Sequence, residues 1–585
     1  MKQSNKYIYH FIIFLFMYLV ACTGNPPLHN EVVVQEFSDP ETMNPVNFTD
    51  ANSGYIVSHV FQKLIDVDYK NPSEFVPVLA VSLPLVEKIQ DKQMRLTFEL
   101  RKEAMWDNGS PVTAKDVEFT LKTIKCPLVN NPNAKTYFDF ISDFVFYNDN
   151  PKKFTVISKE IYFLAEATFT DIPVLPEYLY DPKGLMKKFT VKMIAERSDS
   201  LKSDGQMKEF SDDFNSEKRM RDPNFIAGSG AYKFAEWKTN EQVVLAKKEN
   251  WWGAALQNEN CFFNAFPDKL IYRTIKDETT ALVALKAGNL DVMHAIKSKD
   301  FIELPKSEKF INNFNAYTPM EYSYSYIGLN TTKPLLADKF TRQALAYLTD
   351  VDNIIKTIKY GYAERVIGPI HPSKKKAYNS SIQPYIFDPV KTKELLAKAG
   401  WKNTNGDETL DKMMDGKRTE FVIDFITNTG SDEKKSIALM FQEQAKKVGI
   451  TVNVLTLDWP VFLEKCRNHQ FDIMIGKLVS GPGPDELKQN FYSNSASGDG
   501  TNYSNFSNRE ADALMDSIQT EINEDRRNEM YMRLQEIFHE EVPAIFLYSS
   551  AERIAISKKF DNAYPSVLRP GFWEQGFRMK TASSE

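Results

Sequence analysis

Leu100 to Leu121, LRKEAMWDNGSPVTAKDVEFTL, joins the end of a strand, an aromatic turn and a capped helix. Apolar and polar residues alternate from Arg95 to Leu100, which predicts a half-buried strand. Asp107-Asn108-Gly109 then supplies residues that tolerate left-handed turn geometry. The helix start is equally legible. Thr113 can accept from the amide of Asp116 while the Asp116 side chain reaches back to the Thr113 amide, an aspartate variant of the capping box. Val117 and Leu121 share the face that follows.

The same grammar recurs on both sides of this block. Val32 to Gln35 reads as a first strand, followed by Glu41-Thr42-Met43-Asn44-Pro45 and a helical spacing from Tyr55 to Leu64. Gly228-Ser229-Gly230-Ala231-Tyr232-Lys233-Phe234 reads as a tight turn feeding one alternating strand to Ala246, and it lacks the spacing of a phosphate loop. From Ile271 to Met293, Asp277 caps a helix with Leu282 and Leu285 on its buried face, Gly288 ends it, and a strand returns. Asp388-Pro389 opens a helix that stops at Gly400. Glu433 to Leu457 repeats the unit, with Ile437, Met440, Phe441 and Val448 as the stripe and Gly449 as the stop. Repeated helix–Gly–strand units specify an α/β protein.

Taken in order, these blocks resemble the family 5 extracellular solute-binding proteins, the oligopeptide, dipeptide and nickel receptors of ABC importers. Leu100 to Leu121 resembles their opening signature. Glu41 to Pro45 resembles their leucine-aspartate-proline turn, with Asn44 in place of the aspartate. Gly228 to Tyr232 resembles a Gly-Thr-Gly-Pro-Tyr strand entry. Leu329 to Ile355 is similar to a further block through Asp338, Arg342, Ala344, Leu345 and Asp350, and Asn502 to Tyr548 is similar to the closing helix pair and the strand after it. The resemblance spans Glu36 to Tyr548. It implies a two-lobed periplasmic-binding-protein-like α/β fold, of the large three-subdomain type II variety, with a ligand cleft between the lobes. The expected division is 31–66 and 222–293 in the first lobe, 67–221 as a subdomain inserted in it, 294–540 as the second lobe, and 541–585 as the return to the first, with linkers near Met293 and Glu541. Lys188 to Arg221, charged and serine-rich, reads as solvated helix or loop.

Lys2 and Lys6 precede an apolar run from Tyr7 to Val20, long enough for a signal-peptide core and short for a membrane span. Leu19-Val20-Ala21-Cys22 resembles the bacterial lipobox, so residues 1–21 are expected to be a lipoprotein signal peptide, Cys22 the acylation site and 22–30 a tether. Acyl chains on Cys22 would hold an exported protein on the cell membrane, facing the periplasm or the exterior. Cleavage moves the formal charge from −6 to −8 by removing two lysines. No basic cluster points to nucleic acid. Aromatics make up 13% of the chain, enough to line a cavity or to fill a large core. Beyond Cys22, Cys126, Cys261 and Cys466 form no CxxC pair, leaving one bridge or three buried thiols as readings.

Seven scattered histidines provide no pair at metal-ligand spacing, and no cofactor or metal site is expected. Gly400 to Asp411 carries acids and amides spaced a little like a calcium loop, but Glu408 stands where the loop needs glycine and Met414 where it needs glutamate. There is no GxSxG elbow and no P-loop, so no enzyme is expected. Tyr322, Tyr324 and Tyr326 alternate with serine and share one strand face, which can wall a cleft or cover a sheet. GKLVSGPGPDEL, Gly476 to Leu487, resembles the loop on which peptide-binding relatives present an acid to the ligand amine. Aligned on Pro484-Asp485, Ser480 stands in place of that aspartate and Lys477 in place of a common tryptophan. The expected ligand contacts are thus Ser480, Gly481, Asp485, Lys477, Trp459, Tyr322, Tyr324, Tyr326 and Asn44. The resemblance implies a monomeric receptor for peptides that delivers them to permease subunits. The alternatives are a nickel chelate, opine or oligosaccharide as solute, or a lipid-anchored hydrolase on the same fold.

Overall fold

The computed structural model describes residues 30–580 except 91, 132–133 and 498–499. The signal segment, Cys22 and most of the tether lie outside the described residues.

The opening block folds as its chemistry dictates. The Gln93–Glu99 strand runs into a turn in which the Trp106 amide donates to the Ser110 carbonyl at 2.8 Å and Gly109 takes a φ of +81°. The Asp116 carboxylate accepts from the Thr113 amide at 2.8 Å and starts the Ala114–Lys125 helix. Its face of Val117, Leu121 and Ile124 is fully buried. This helix lies on a four-stranded antiparallel sheet, ordered Leu85–Gln90, Gln93–Glu99, Asn150–Ser158, Ile141–Tyr147. That sheet is the inserted subdomain.

The first lobe is a seven-stranded mixed sheet. Its order is Phe314–Tyr317, Ile554–Ser557, Val292–Met293, Glu31–Glu36, Lys269–Thr274, Gln242–Lys247, Tyr232–Lys238. The Glu31–Glu36 strand pairs in parallel with Lys269–Thr274 and with Val292–Met293. Asp277 caps the intervening helix by accepting from the Thr280 amide at 2.8 Å, and Gly288 ends it at φ +82°. The stretch read as one strand to Ala246 is instead a hairpin, Tyr232–Lys238 and Gln242–Lys247, turning at Thr239 to Glu241. Asn240 takes the positive φ there, a geometry that asparagine tolerates.

The second lobe is a six-stranded sheet ordered Ala363–Arg365, Ala544–Ser550, Ser323–Leu329, Ile473–Val479, Val422–Asn428, Thr451–Leu457. Val422–Asn428 is parallel to both Ile473–Val479 and Thr451–Leu457. Alternation along each strand sends side chains to two buried layers. Ile327, Ile475 and Leu547 pack with Ile437 and Phe441 on one face, while Tyr324, Tyr326, Met474 and Phe546 pack with Phe462 and Phe538 on the other.

Strand pairing moves the expected lobe boundaries. Phe314–Tyr317 pairs with Ile554–Ser557 in the first sheet, so the first lobe runs past residue 294 to Tyr317. Ala544–Ser550 pairs with Ser323–Leu329, so the second lobe runs past 540 to Ser550. The crossings are therefore Pro319 to Glu321 and Ala551 to Arg553, not near Met293 and Glu541. They lie side by side: the Glu321 amide donates to Ser550 O and the Glu552 amide to Pro319 O, both at 2.8 Å. By contrast, the insertion shares one continuous core with the first sheet, in which Phe98 and Phe119 join Val34 and Leu245. It belongs mechanically to the first lobe.

Lys188 to Arg221 also differs from its reading as a solvated segment. It forms the helices Val191–Leu201, Gly205–Phe214 and Glu217–Arg221, and it buries Ile194, Met207, Phe210 and Phe214. Amphipathic spacing carried that face beneath a charged composition. Cys126, Cys261 and Cys466 are three buried free thiols.

Candidate functional site

In both sheets the parallel strands point their carboxyl ends at the crossings. Glu36, Thr274 and Met293 end the strands of one lobe, and Asn428, Leu457 and Val479 those of the other. Open α/β sheets bind ligands outside such ends. The space between the lobes is thus the candidate site.

Its second-lobe wall is the loop that follows Ile473–Val479. The Ser480 amide donates to Tyr322 O at 2.9 Å, and the Ser480 hydroxyl donates to Asp485 at 2.5 Å. Lys374, 109 residues upstream of Gly483, donates to its carbonyl at 2.7 Å and lies 2.7 Å from the Asp485 carboxylate. Lys374 also donates to the Ser480 hydroxyl at 3.1 Å. Both charges of this pair are buried, at 7% and 8% side-chain exposure. Burial pushes the Lys374 pKa down, and Asp485 opposes that. Ser480 and Asp485 thus brace the loop, while Gly481 stands exposed at its tip.

His371 ties this loop to the crossings. Its Nδ1 accepts from the Ser373 amide at 3.2 Å, which leaves Nε2–H to donate to Ser549 Oγ at 3.1 Å. Ser549 in turn donates to Glu321 O at 2.7 Å. Burial and the nearby Lys374 charge bring the His371 pKa to about 4, so the ring is neutral. Glu321 itself is shared: Lys477 of the second lobe lies at 2.7 Å and Arg569 of the first at 3.4 Å. Burial opposes Glu321 ionisation, but those cations and the Ser323 hydroxyl hold its pKa below the usual carboxylate range.

The expected contact residues separate into groups. Lys477 and Trp459 are exposed, the latter at 51%, stacked on Phe462 and facing the Lys434 ammonium at 6.0 Å. Tyr322 spans the lobes, its hydroxyl donating to Pro72 O at 3.0 Å. Tyr324 and Tyr326 do not wall the cleft. They lie inside the second lobe, Tyr324 edge-on to Phe546 at 5.6 Å and Tyr326 against Gly476, because the strand is covered on both faces. Asn44 is likewise withdrawn, with no exposure. Its Oδ1 accepts from the Val46 amide at 2.9 Å, and its Nδ2 donates to Phe214 O at 3.2 Å, so it shapes a turn.

Between the loop and the inserted subdomain lies a cavity of about 570 Å³. Phe75, Tyr162 and Phe163 of the insertion line it together with Pro484, Ile522 and Tyr531 of the second lobe, and Phe163 packs into the second-lobe cluster that holds Tyr531. Glu166 and Arg527 also line it, from opposite lobes. A second cavity of about 230 Å³, beside the crossings, is lined by Glu321, Lys477, Glu433, Lys359 and Arg553. Burial resists ionisation of Glu433, but Lys359 at 2.9 Å and the Tyr548 hydroxyl hold its carboxyl low. Lys374, His371, Glu321 and Arg527 had no place among the contacts expected from sequence. Arg527 alone carried a signal, its spacing on one helical stripe with Tyr531, Leu534 and Phe538. Among the described residues no group of three or more His, Cys, Asp or Glu is placed to hold a metal ion, and no helix is long and apolar enough to cross a membrane.

Two α/β lobes joined by adjacent crossings around an aromatic-lined cleft define the class of two-lobed binding proteins. Residues 74–500 match the model of the bacterial extracellular solute-binding proteins, family 5, and the chain belongs to that family. The oligopeptide-binding protein AppA of Bacillus subtilis is 26% identical over 568 residues, 94% of each chain. Its structure in complex with a nonapeptide superposes with a TM-score of 0.62 at 24% identity, covering 95% of this chain and all of the other. The dipeptide-binding protein of Escherichia coli is 23% identical over 538 residues, 87% of this chain and 88% of its own. HbpA2 of Haemophilus parasuis gives a TM-score of 0.73 at 21% identity over 94% of this chain and all of that one.

Proposed function

We propose that this chain is the peptide receptor of an ABC importer. It captures its solute between the lobes and hands it to permease subunits without chemical turnover. The observation that carries the reading is the cavity between the loop around Ser480 and the insertion, whose aromatic and proline walls come from both lobes and whose size suits a few residues of peptide. The names of relatives such as AppA and the dipeptide-binding protein support peptides as the solute class. Backbone groups at the strand ends supply sequence-tolerant affinity. Calorimetry with a peptide library tests it. Stoichiometric, saturable binding with the peptide recovered intact is expected. Binding of opines, oligosaccharides or metal chelates with none of peptides sinks the peptide reading, and consumption of the solute sinks the receptor reading.

The protein acts as a monomer on the outer face of a membrane, held by acyl chains on Cys22. The lipobox-like Leu19 to Cys22 supports this placement. In the native host, Cys22→Ser should move the protein from the membrane fraction to the soluble fraction. Retention in the membrane fraction would remove the anchor assignment. The expected ligand contacts reduce to Gly481, Lys477, Trp459 and Tyr322, with Ser480 and Asp485 acting through the loop they brace. Ser480→Asp is expected to strengthen capture of amine-terminated ligands, as read by calorimetry.

A further inference from the structure

Among the charged residues that line the cavity is a buried arginine that no carboxylate meets at salt-bridge distance among the described residues. Of the basic residues lining it, Lys374 pairs with Asp485, Lys376 pairs with Glu524 at 3.0 Å, and Lys375 is exposed to water. Arg527 is different. It is 9% exposed, and the one hydrogen bond of its guanidinium among the described residues runs from Nη1 to Glu521 O at 2.9 Å. Its Nε is buried without an acceptor, and among the described residues it forms no ion pair. On the facing wall Glu166 likewise has no ion pair among the described residues; burial raises its pKa, and the Arg527 charge across the cavity acts to lower it. A buried guanidinium without a salt-bridge partner is costly, and an anion entering the cavity to pair with it lowers that cost.

Charge and shape narrow the anion. The cavity walls are mixed, with charged side chains beside an apolar patch of Phe75, Met94, Phe163 and Ile522. An apolar body ending in a carboxylate fits that patch, and the planar fork of an arginine pairs with a carboxylate through two N–H donors. At the opposite end of recognition, the aspartate that would hold an amine is Ser480, whose hydroxyl is already spent on Asp485.

We propose that Arg527 anchors the free carboxylate end of the captured peptide, so that this receptor selects its ligands by the carboxyl rather than the amino terminus. The assignment rests on the peptide reading above. Closure over the ligand brings the carboxylate onto the guanidinium, with the terminal side chain against Phe75 and Phe163.

The test is calorimetry with matched peptides bearing a free or an amidated carboxyl terminus. It uses the intact mature protein and its Arg527→Gln, Arg527→Lys and Arg526→Gln variants, the last being an exposed neighbour on the same helix. Amidation should weaken binding to the unaltered protein roughly ten- to hundredfold, the worth of a charged hydrogen-bonded pair. Arg527→Gln should weaken the free-acid peptide by the same factor and leave the amidated one unchanged, Arg527→Lys should restore part of the loss, and Arg526→Gln should match the unaltered protein. The comparison of free acid with amide on the unaltered protein decides the matter even if Arg527→Gln folds poorly. Equal affinity for both peptide forms overturns the assignment and leaves the peptide reading standing. So does an equal loss of both on Arg527→Gln, which is what an Arg527–Glu166 bridge formed on closure would give. If neither form binds at all, the peptide reading falls and takes the assignment with it.

Discussion

Lys374, Lys375 and Lys376 follow one another in sequence, yet only Lys374 is buried. Its ammonium sits on Asp485 and on two further oxygens of the Ser480 loop, so neither charge reaches water. Removing one partner of such a pair leaves the other charge buried alone. Asp485→Asn should therefore cost the second lobe about 3–5 kcal/mol, whereas the double change Lys374→Met with Asp485→Leu should cost much less. Urea unfolding followed by tryptophan fluorescence checks the pair, and an equal loss in both variants would sink it. His371, between Lys374 and the Tyr322 ring at 5.1 Å, gives a second test. Its folded pKa of about 4 lies below the ordinary 6.5, so the unfolded chain binds the extra proton first. Its contribution is complete above pH 6.5 and is lost as pH falls toward 4, by on the order of 3 kcal/mol. His371→Gln should flatten this part of the melting-temperature profile between pH 7 and 4.5, relative to the unaltered protein.

At the scale of elements, the clearest constraint is the pair of glycines before Tyr232. A Cβ on Gly230 would press into the carbonyl of His59, and one on Gly228 into that of Val60. The Gly230 amide itself donates to Val60 O at 2.9 Å, so the turn cannot retreat without breaking the junction. Gly230→Ala should destabilise the first lobe by roughly 2–4 kcal/mol. Gly205→Ala, where nothing lies within 4 Å, should be close to neutral or stabilising. Calorimetric scans of both variants decide it. Elements marked by a cap or a stop were legible in the sequence: the helices after Thr113, Asp277 and Asp388 begin where those residues placed them, and those before Gly288, Gly400 and Gly449 end within two residues of the glycine. Sheet membership was not. Ala544–Ser550 and Ser323–Leu329 are buried at every position, and a strand buried on both faces carries no period to say which sheet it joins. The same limit hid the site. Tyr324 and Tyr326 share a face as their spacing requires, but only the packing of Phe462 and Phe546 shows that this face is internal. Lys374 and Asp485 meet across more than a hundred residues, and no local pattern announces a pairing at that distance.

For the whole molecule, the arrangement of cores sets what can move. The insertion and the first sheet share one hydrophobic cluster; the second lobe has its own on one face of its sheet, while the cluster on the other face also takes in Phe163 of the insertion. The lobes connect through Pro319 to Glu321 and Ala551 to Arg553, and a pair of adjacent strands can twist while the first-sheet core and the Ile327–Phe441 core stay intact, the contact of Phe163 with the second lobe being what opening must part. What limits that twist lies on the cleft side. Tyr322 donates from the crossing to Pro72 O on the insertion, Lys88 of the insertion donates to Thr520 O at 3.2 Å, and Glu321 joins Lys477 to Arg569. Tyr322→Phe keeps the ring against His371 and removes only the strap to Pro72. A single half-buried hydrogen bond contributes about 1 kcal/mol, too little to change overall folding but enough to shift a balance between open and closed lobes severalfold. The free variant should therefore show a larger radius of gyration by small-angle X-ray scattering, with an unchanged melting temperature. Saturating ligand should return it to the compact value at a correspondingly weaker affinity. An unchanged radius in the free variant would mean that the lobes are held by the Glu321 network instead, and Glu321→Gln would then be the change that opens them.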